Sequence, residues 1–120
     1  MSRIPYLIAG LATLVAIAAP TSAGMGATKL KGTTGPGFTI TLKKGTATVR
    51  SLTPGKYAIT VNDKSKMHNF LIKGPGLNKQ ITSIAFKGMK TVTVTLKKGK
   101  YTYQCDPHVT QGMKHTFRVT

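Results

Sequence analysis

Apolar and polar residues alternate with period two through most of the chain beyond residue 37. Phe38, Ile40 and Leu42 alternate with Thr39 and Thr41. Tyr57, Ile59 and Val61 alternate with Ala58, Thr60 and Asn62, and Val92, Val94 and Leu96 with Thr91, Thr93 and Thr95. Tyr101, Tyr103 and Cys105 alternate with Thr102 and Gln104; Met113, His115, Phe117 and Val119 alternate with Lys114, Thr116 and Arg118. Successive side chains of a strand point to opposite faces, so each run predicts a strand with one buried and one wet face, the habit of antiparallel sheets. Thr, Val, Tyr and Ile suit a pleated, half-buried surface. Gly35–Pro36–Gly37, Lys43–Lys44–Gly45, Pro54–Gly55, Gly74–Pro75–Gly76 and Lys97–Lys98–Gly99 punctuate the runs as turns. The run Thr41–Gly45 recurs as Thr95–Gly99, but the similarity fades on both sides, so it is one turn chemistry used twice. No helical stripe interrupts this pattern. Seven or eight short strands with regular turns predict an all-β Greek-key sandwich or barrel.

The opening residues follow another logic. Met1–Ser2–Arg3 is positive, Ile4–Ala19 is almost wholly apolar, and Pro20–Thr21–Ser22–Ala23 is small. That order predicts a secretory signal peptide over 1–23, cleaved after Ala23, with the folded domain occupying 24–120. The apolar run is shorter than the ~20 residues that span a bilayer, which favours cleavage over a retained anchor. No twin arginine precedes it, so the general secretory route is expected.

Composition narrows the function. The 120 residues suffice for one domain and carry 18 Lys plus Arg against 2 Asp plus Glu, a formal charge of +16. Asp63 and Asp106 are the acidic side chains, which excludes a paired-carboxylate hydrolase and an oxygen-ligand cage for calcium or magnesium. One Cys forms neither an internal disulfide nor a multi-Cys zinc site. A hydrophobic fraction of 40% is too high for a disordered polybasic tail. The lysines either solubilise the fold or steer it toward anionic partners, among them acidic redox proteins and anionic membrane or cell-wall surfaces. No aromatic platform interleaves them, so nucleic acid is not expected as a partner.

The chemistry gathers between Tyr101 and Met113. Cys105, His108 and Met113 lie within nine residues at the junction of two predicted strands, with Pro107 and Gly112 shaping the connection. Thiolate and thioether are soft donors and imidazole is intermediate, a mixture that selects copper above zinc or iron. A trigonal copper site needs a second imidazole, and His68, on the predicted strand Met67–Ile72, is the candidate. Asn69, beside it, is placed to hydrogen-bond the Cys–Met loop or its sulfur. A Cys–His nucleophile is the poorer explanation, because Asp106 is the one nearby carboxylate and no oxyanion donor is evident. Met67 and Met89 lack supporting spacing and read as packing or surface residues.

With Cys105-x2-His108-x4-Met113, the upstream His68–Asn69 and the lead-in Gly99-Lys-Tyr-Thr-Tyr-Gln-Cys105, the chain resembles the cupredoxins, the plastocyanin/azurin-like blue-copper proteins. Gly35-Pro-Gly-Phe38 and His68-Asn-Phe70 are similar to the small secreted bacterial members, and the resemblance runs from about Leu30 to Thr120. It implies a Greek-key sandwich with one type 1 copper ion, His68, Cys105 and His108 equatorial, Met113 weakly axial, and His108 as the port for single electrons. It implies a monomer that is periplasmic or exposed outside a bacterial cell, and no enzymatic activity. His115 departs from the pattern, since period two sets it on the side of Met113; it is read as a non-ligand. A copper carrier or store and a metal-free basic sandwich binding anionic surfaces are the alternative functions.

Overall fold

Two five-stranded sheets face one another across the apolar sides of the alternating runs. The computed structural model describes residues 26–120; the leader expected over 1–23 and its cleavage site lie outside the described residues. One sheet runs in the order β3 (Ala47–Thr48), β2 (Ile40–Lys44), β1 (Thr28–Thr34), β5 (Gly55–Asp63), β8 (Gly88–Leu96). The other runs β4 (Ser51–Leu52), β10 (Lys114–Val119), β9 (Gly99–Gln104), β6 (Phe70–Gly74), β7 (Leu77–Thr82).

The all-β class holds, and the differences from expectation are instructive. Ten strands form among the described residues, where seven or eight are predicted, because β3 and β4 are two-residue pairings too short to leave a periodic trace. The sheets are mixed: β1 runs parallel to β5, and β10 parallel to β4. Period two reports which face a residue takes and is silent about strand direction. β7 is an edge strand that buries only Ile81 and Thr82, so its run shows no alternation.

The core is built by the residues that the alternation selects. Ile40, Leu42, Tyr57, Ile59, Val61, Val94, Leu96, Tyr101, Tyr103, Phe117 and Val119 are buried, joined by Phe70, Ile72 and Ile81. Phe70 stacks on Tyr103 and Tyr101 on Phe117, with ring centroids 5.7 and 5.4 Å apart. The Tyr101 hydroxyl accepts the Lys97 N–H at 2.9 Å and donates to the Pro75 carbonyl at 3.1 Å, so its burial leaves no polar atom unpaired. Phe38 is an exception: it is 55% exposed and lies outside the core, because β2 begins only at Ile40. His115 is exposed although it shares the parity of buried Phe117.

Three connections meet at one end of this scaffold: the β1–β2 turn, the β5–β6 connection and the β9–β10 connection. The sheets behind them set the spacing of the strand ends, and so the spacing of the side chains that the connections carry.

The Tyr101 ring also explains a glycine. A Cβ on Gly74 would overlap that ring, which its two hydrogen bonds hold in place. Gly74→Ala is expected to destabilise the fold by about 1–3 kcal/mol, the usual effect of overpacking a filled core. Gly37→Ala, whose new Cβ meets nothing within 4 Å, should stay within about 0.5 kcal/mol of the parent. Chemical denaturation of both variants checks the contrast.

Candidate metal centre

β9 places Tyr101, Tyr103 and Cys105 on its inward face, so the thiol follows two buried rings into the core. The chain then turns through a short 3-10 helix, Asp106–Gln111, which begins with Pro107 near its start and ends at Gly112. Gly112 has φ 92, the left-handed region that glycine enters without strain. The backbone closes the turn on itself. The His108 N–H donates to the Cys105 carbonyl at 3.1 Å, the Met113 N–H to the His108 carbonyl at 3.2 Å, and the Cys105 N–H to the Met113 carbonyl at 3.0 Å. Residues 105, 108 and 113 are thereby fixed relative to one another. Cys105 and Met113 are fully buried, and His108 is partly exposed.

His68 reaches the same point from the β5–β6 connection. It lies two residues ahead of β6, not inside a strand Met67–Ile72 as the periodicity suggests. A chain of turn hydrogen bonds holds it there: Asp63 Oδ1 accepts the Ser65 N–H, Ser65 Oγ accepts the Met67 N–H, and the Ser65 carbonyl accepts the His68 N–H. The imidazole Nε2 faces the Pro36 carbonyl at 3.3 Å. A carbonyl oxygen can only accept, so Nε2 carries the proton and Nδ1 presents its lone pair to the other side. Gly35 lines this contact. It has φ 79, and a Cβ there would approach His68 Cδ2 to 2.6 Å, so only glycine lets the backbone come this close.

Three donor atoms now face one another. His68 Nδ1 and His108 Nδ1 are 3.0 Å apart, and Cys105 Sγ lies 3.6 Å from the first and 3.5 Å from the second. The centre of that triangle is about 2 Å from every corner, close to the bonding distance of a first-row metal to nitrogen and slightly short for sulfur. Two imidazoles and one thiolate in a plane form the donor set that suits copper, and their geometry fits one ion. Among the described residues this is the one cluster of three His, Cys, Asp or Glu side chains able to share a metal.

The surroundings pull the thiol in opposite directions. Burial pushes the Cys105 thiol up, the backbone of Asn69 and of His108 draws it down, and the carboxylates of Asp106 and Asp63 push it up again. A bound cation takes the proton's place, which is how such a thiol becomes a ligand. Asn69 joins the two connections. Its Oδ1 accepts the Asp106 N–H at 2.7 Å, and its Nδ2 donates to Asp106 Oδ2 at 3.1 Å and to Gln80 Oε1 at 3.0 Å. Gln104 Nε2 holds the other carboxylate oxygen of Asp106 at 2.7 Å.

Several participants are not picked out as site residues by the sequence, although Pro36 and Phe38 stand in the Gly35–Phe38 run that carries the resemblance. Phe38 sits with its ring 4.8 Å from that of His108 and 6.3 Å from that of His68. Pro36, Gln80 and Asp106 support the donors; Pro36, within the Gly35–Phe38 run, and Asp106, adjacent to Cys105, offer signals that sequence could have used, and Gln80 offers none. His115 stands 5.6 Å from the Tyr103 ring and takes no part in the donor triangle. Met67 and Met89 are surface residues, 63% and 62% exposed.

Asp63 lies beneath the His68 connection and is 1% exposed. Its Oδ2 and the Thr82 Oγ1 have no well-aligned hydrogen-bond partner among the described residues. Burial raises the Asp63 carboxyl above the ordinary range; the Thr82 hydroxyl, the Ser65 N–H and His68 pull the other way without overcoming it.

A family model described as copper binding proteins of the plastocyanin/azurin family matches residues 40–120. That span contains His68, Cys105, His108 and Met113 and begins after Gly35, Pro36 and Phe38. Solved structures of rusticyanin, a copper protein, are similar in fold. One aligns over 77% of this chain and 76% of its own with a TM-score of 0.54 at 17% identity. A structure of rusticyanin variants gives 0.54 at 20% with the same coverage, and rusticyanin from Thiobacillus ferrooxidans gives 0.50 at 18%. No curated protein sequence matches the chain.

The raised Asp63 carboxyl predicts a pH dependence. The folded chain holds that proton more tightly than the unfolded chain, so this residue's contribution to stability falls as pH rises from the ordinary carboxylate value through the raised one. Asp63→Asn keeps the oxygen that caps Ser65 and removes the buried charge. The stability of Asp63→Asn relative to the parent should therefore rise between about pH 4 and pH 7. Urea unfolding across that range measures the difference, and a difference independent of pH would contradict the assignment.

Proposed function

The chain belongs to the plastocyanin/azurin family of copper-binding proteins, and from that membership we propose that it is an exported carrier of single electrons whose copper is held by His68, Cys105 and His108, with Met113 as a weak axial contact. Copper is its cofactor. The observation that supports the ligand set is the triangle of Nδ1, Nδ1 and Sγ, brought to bonding size by two connections distant in sequence. Met113 supports the axial role through its full burial and its backbone bonds to both Cys105 and His108.

When bound, copper supplies a single-electron couple between its cupric and cuprous forms. The protein's part is to resist rearrangement. Pro36 fixes the tautomer and tilt of His68, Asn69 and Asp106 tie the two connections together, and the self-bonded 105–113 turn keeps Cys105 and His108 at one separation. A donor set held this way changes little with the charge at its centre, so little reorganisation opposes transfer. Cys105 and His68 are sealed from solvent, while His108 is partly exposed beside the open ring of Phe38. His108 is the port in this reading, with Phe38 as apolar surface for a partner to cover. The surplus of 18 basic over 2 acidic side chains supports partners that carry negative charge. The charged, apolar and small segments of 1–23 support export across a bacterial inner membrane.

Loading the protein with cupric ion should give an intense blue absorption band and narrow copper hyperfine splitting in electron paramagnetic resonance. Cys105→Ser should abolish the band; Met113→Leu should keep it and raise the reduction potential. A colourless copper-loaded parent would sink the electron-carrier reading, and ready loss of copper to a mild chelator would point to ion delivery instead. Electron-transfer rates with an acidic redox partner should fall as ionic strength increases.

A further inference from the structure

Away from the donor triangle, on the side where β2 and β3 approach β10, the sandwich opens into a cleft of about 610 Å³. Buried Tyr103 lies at its base, and Arg50, Lys114 and His115 line it together with the hydroxyl-bearing Thr48 and Thr116. His115 is exposed, despite its inward parity, because it faces this opening and not the opposite sheet. The backbone at Arg50 is firmly placed, and its side chain is exposed. The Val49 N–H donates to the Leu42 carbonyl of β2 at 2.9 Å, and the Arg50 carbonyl accepts the Arg118 N–H of β10 at 3.0 Å, so the dipeptide is fastened to both sheets. Burial pushes the Tyr103 hydroxyl up, and the Leu42 backbone and the Arg50 charge draw it back without overcoming that.

The cleft collects cations that the protein cannot neutralise with its own acidic side chains. The sequence has two, Asp63 and Asp106. Asp63 is buried beneath the His68 connection, and the two carboxylate oxygens of Asp106 accept from Asn69 and Gln104. A guanidinium, an ammonium, an imidazole and hydroxyls around one concavity form the set that recognises an oxyanion, through a forked pair of donors from Arg and point charges and hydroxyls around it. We propose that this cleft is a binding site for a small molecule bearing a phosphate or carboxylate group, gripped by Arg50 and Lys114.

A second consequence rests on the electron-carrier reading. Lys114 follows Met113 directly and Tyr103 precedes Cys105 by two residues, so the strands that wall the cleft also end in the donor turn. An anion held there would add negative charge on the strands that lead into the donor turn, which would favour the more positive, oxidised state of bound copper. Occupancy of the cleft should therefore lower the reduction potential.

The test is a titration of the isotopically labelled copper(I)-loaded chain with inorganic phosphate, and separately with malonate, at constant ionic strength, followed by amide chemical shifts. Saturable shifts centred on residues 50, 103 and 114–116 are expected, and the tighter of the two ligands identifies the oxyanion. Arg50→Gln and Lys114→Gln should each weaken binding at least tenfold, while Lys98→Gln, in the β8–β9 turn, should not. Spectral dispersion elsewhere reports whether each variant still folds. Non-saturating shifts spread over the lysine-rich surface, or unchanged affinity in both cleft variants, would overturn the site. Repeating the titration on the metal-free chain separates the two ideas: binding there with no blue band on cupric loading would defeat the copper assignment and leave the cleft standing.

Discussion

The hydrogen bonds between Asn69 and Asp106 are the constraint on which the donor arrangement depends. The residue after His68 and the residue after Cys105 are 37 positions apart in sequence, and their side chains and backbone meet in two direct contacts of 2.7 and 3.1 Å. Asn69 is wholly buried, and its amide has partners for both its oxygen and its nitrogen. Leaving such a group unpaired costs about 1–3 kcal/mol, so the two connections move together or not at all. The short distances between His68, Cys105 and His108 are a consequence of that link and of the β-sheets behind it.

Charge is distributed in a way that matches this architecture. The lysines sit in turns and on wet strand faces, whereas both carboxylates lie close to the donor atoms. Asp106 and Asp63 push the Cys105 thiol up, and the same two charges would favour a cation bound to that sulfur. A chain with so few acids places both where a metal ion can profit from them. Where β2 and β3 approach β10 the opposite condition holds, with Arg50, Lys114 and His115 gathered around a cavity that no acidic side chain enters.

Rigid scaffold and a partly exposed donor ring occupy the same end of the molecule without conflict. His68 is enclosed by Gly35, Pro36 and the core, while His108, on the other connection, keeps part of its ring toward solvent beside Phe38. The turn that carries His108 is stiffened by its own backbone bonds, so exposure there does not bring looseness.

Periodicity was enough to identify the sandwich and most of its core, since burying one face of each strand is a local demand written at every second residue; Leu30, Val49, Leu52, Phe70, Ile72 and Ile81 lie outside the alternating runs. The spacing of Cys105, His108 and Met113 was equally legible, because one short connection carries all three. His68 was nameable as the missing imidazole, yet its place outside a strand was not, and neither was the pairing of β1 with β5 in parallel. Those depend on hydrogen bonds between segments distant in sequence, which leave no mark on the alternation of either partner. Phe38 and His115 had the parity of core residues and lie at the surface, since parity states which way a side chain points and only the position of the opposing sheet decides whether anything covers it. The contacts of Pro36, Gln80 and Asp106 belong to the same class: each residue acquires its role when folding brings another segment to within hydrogen-bonding distance.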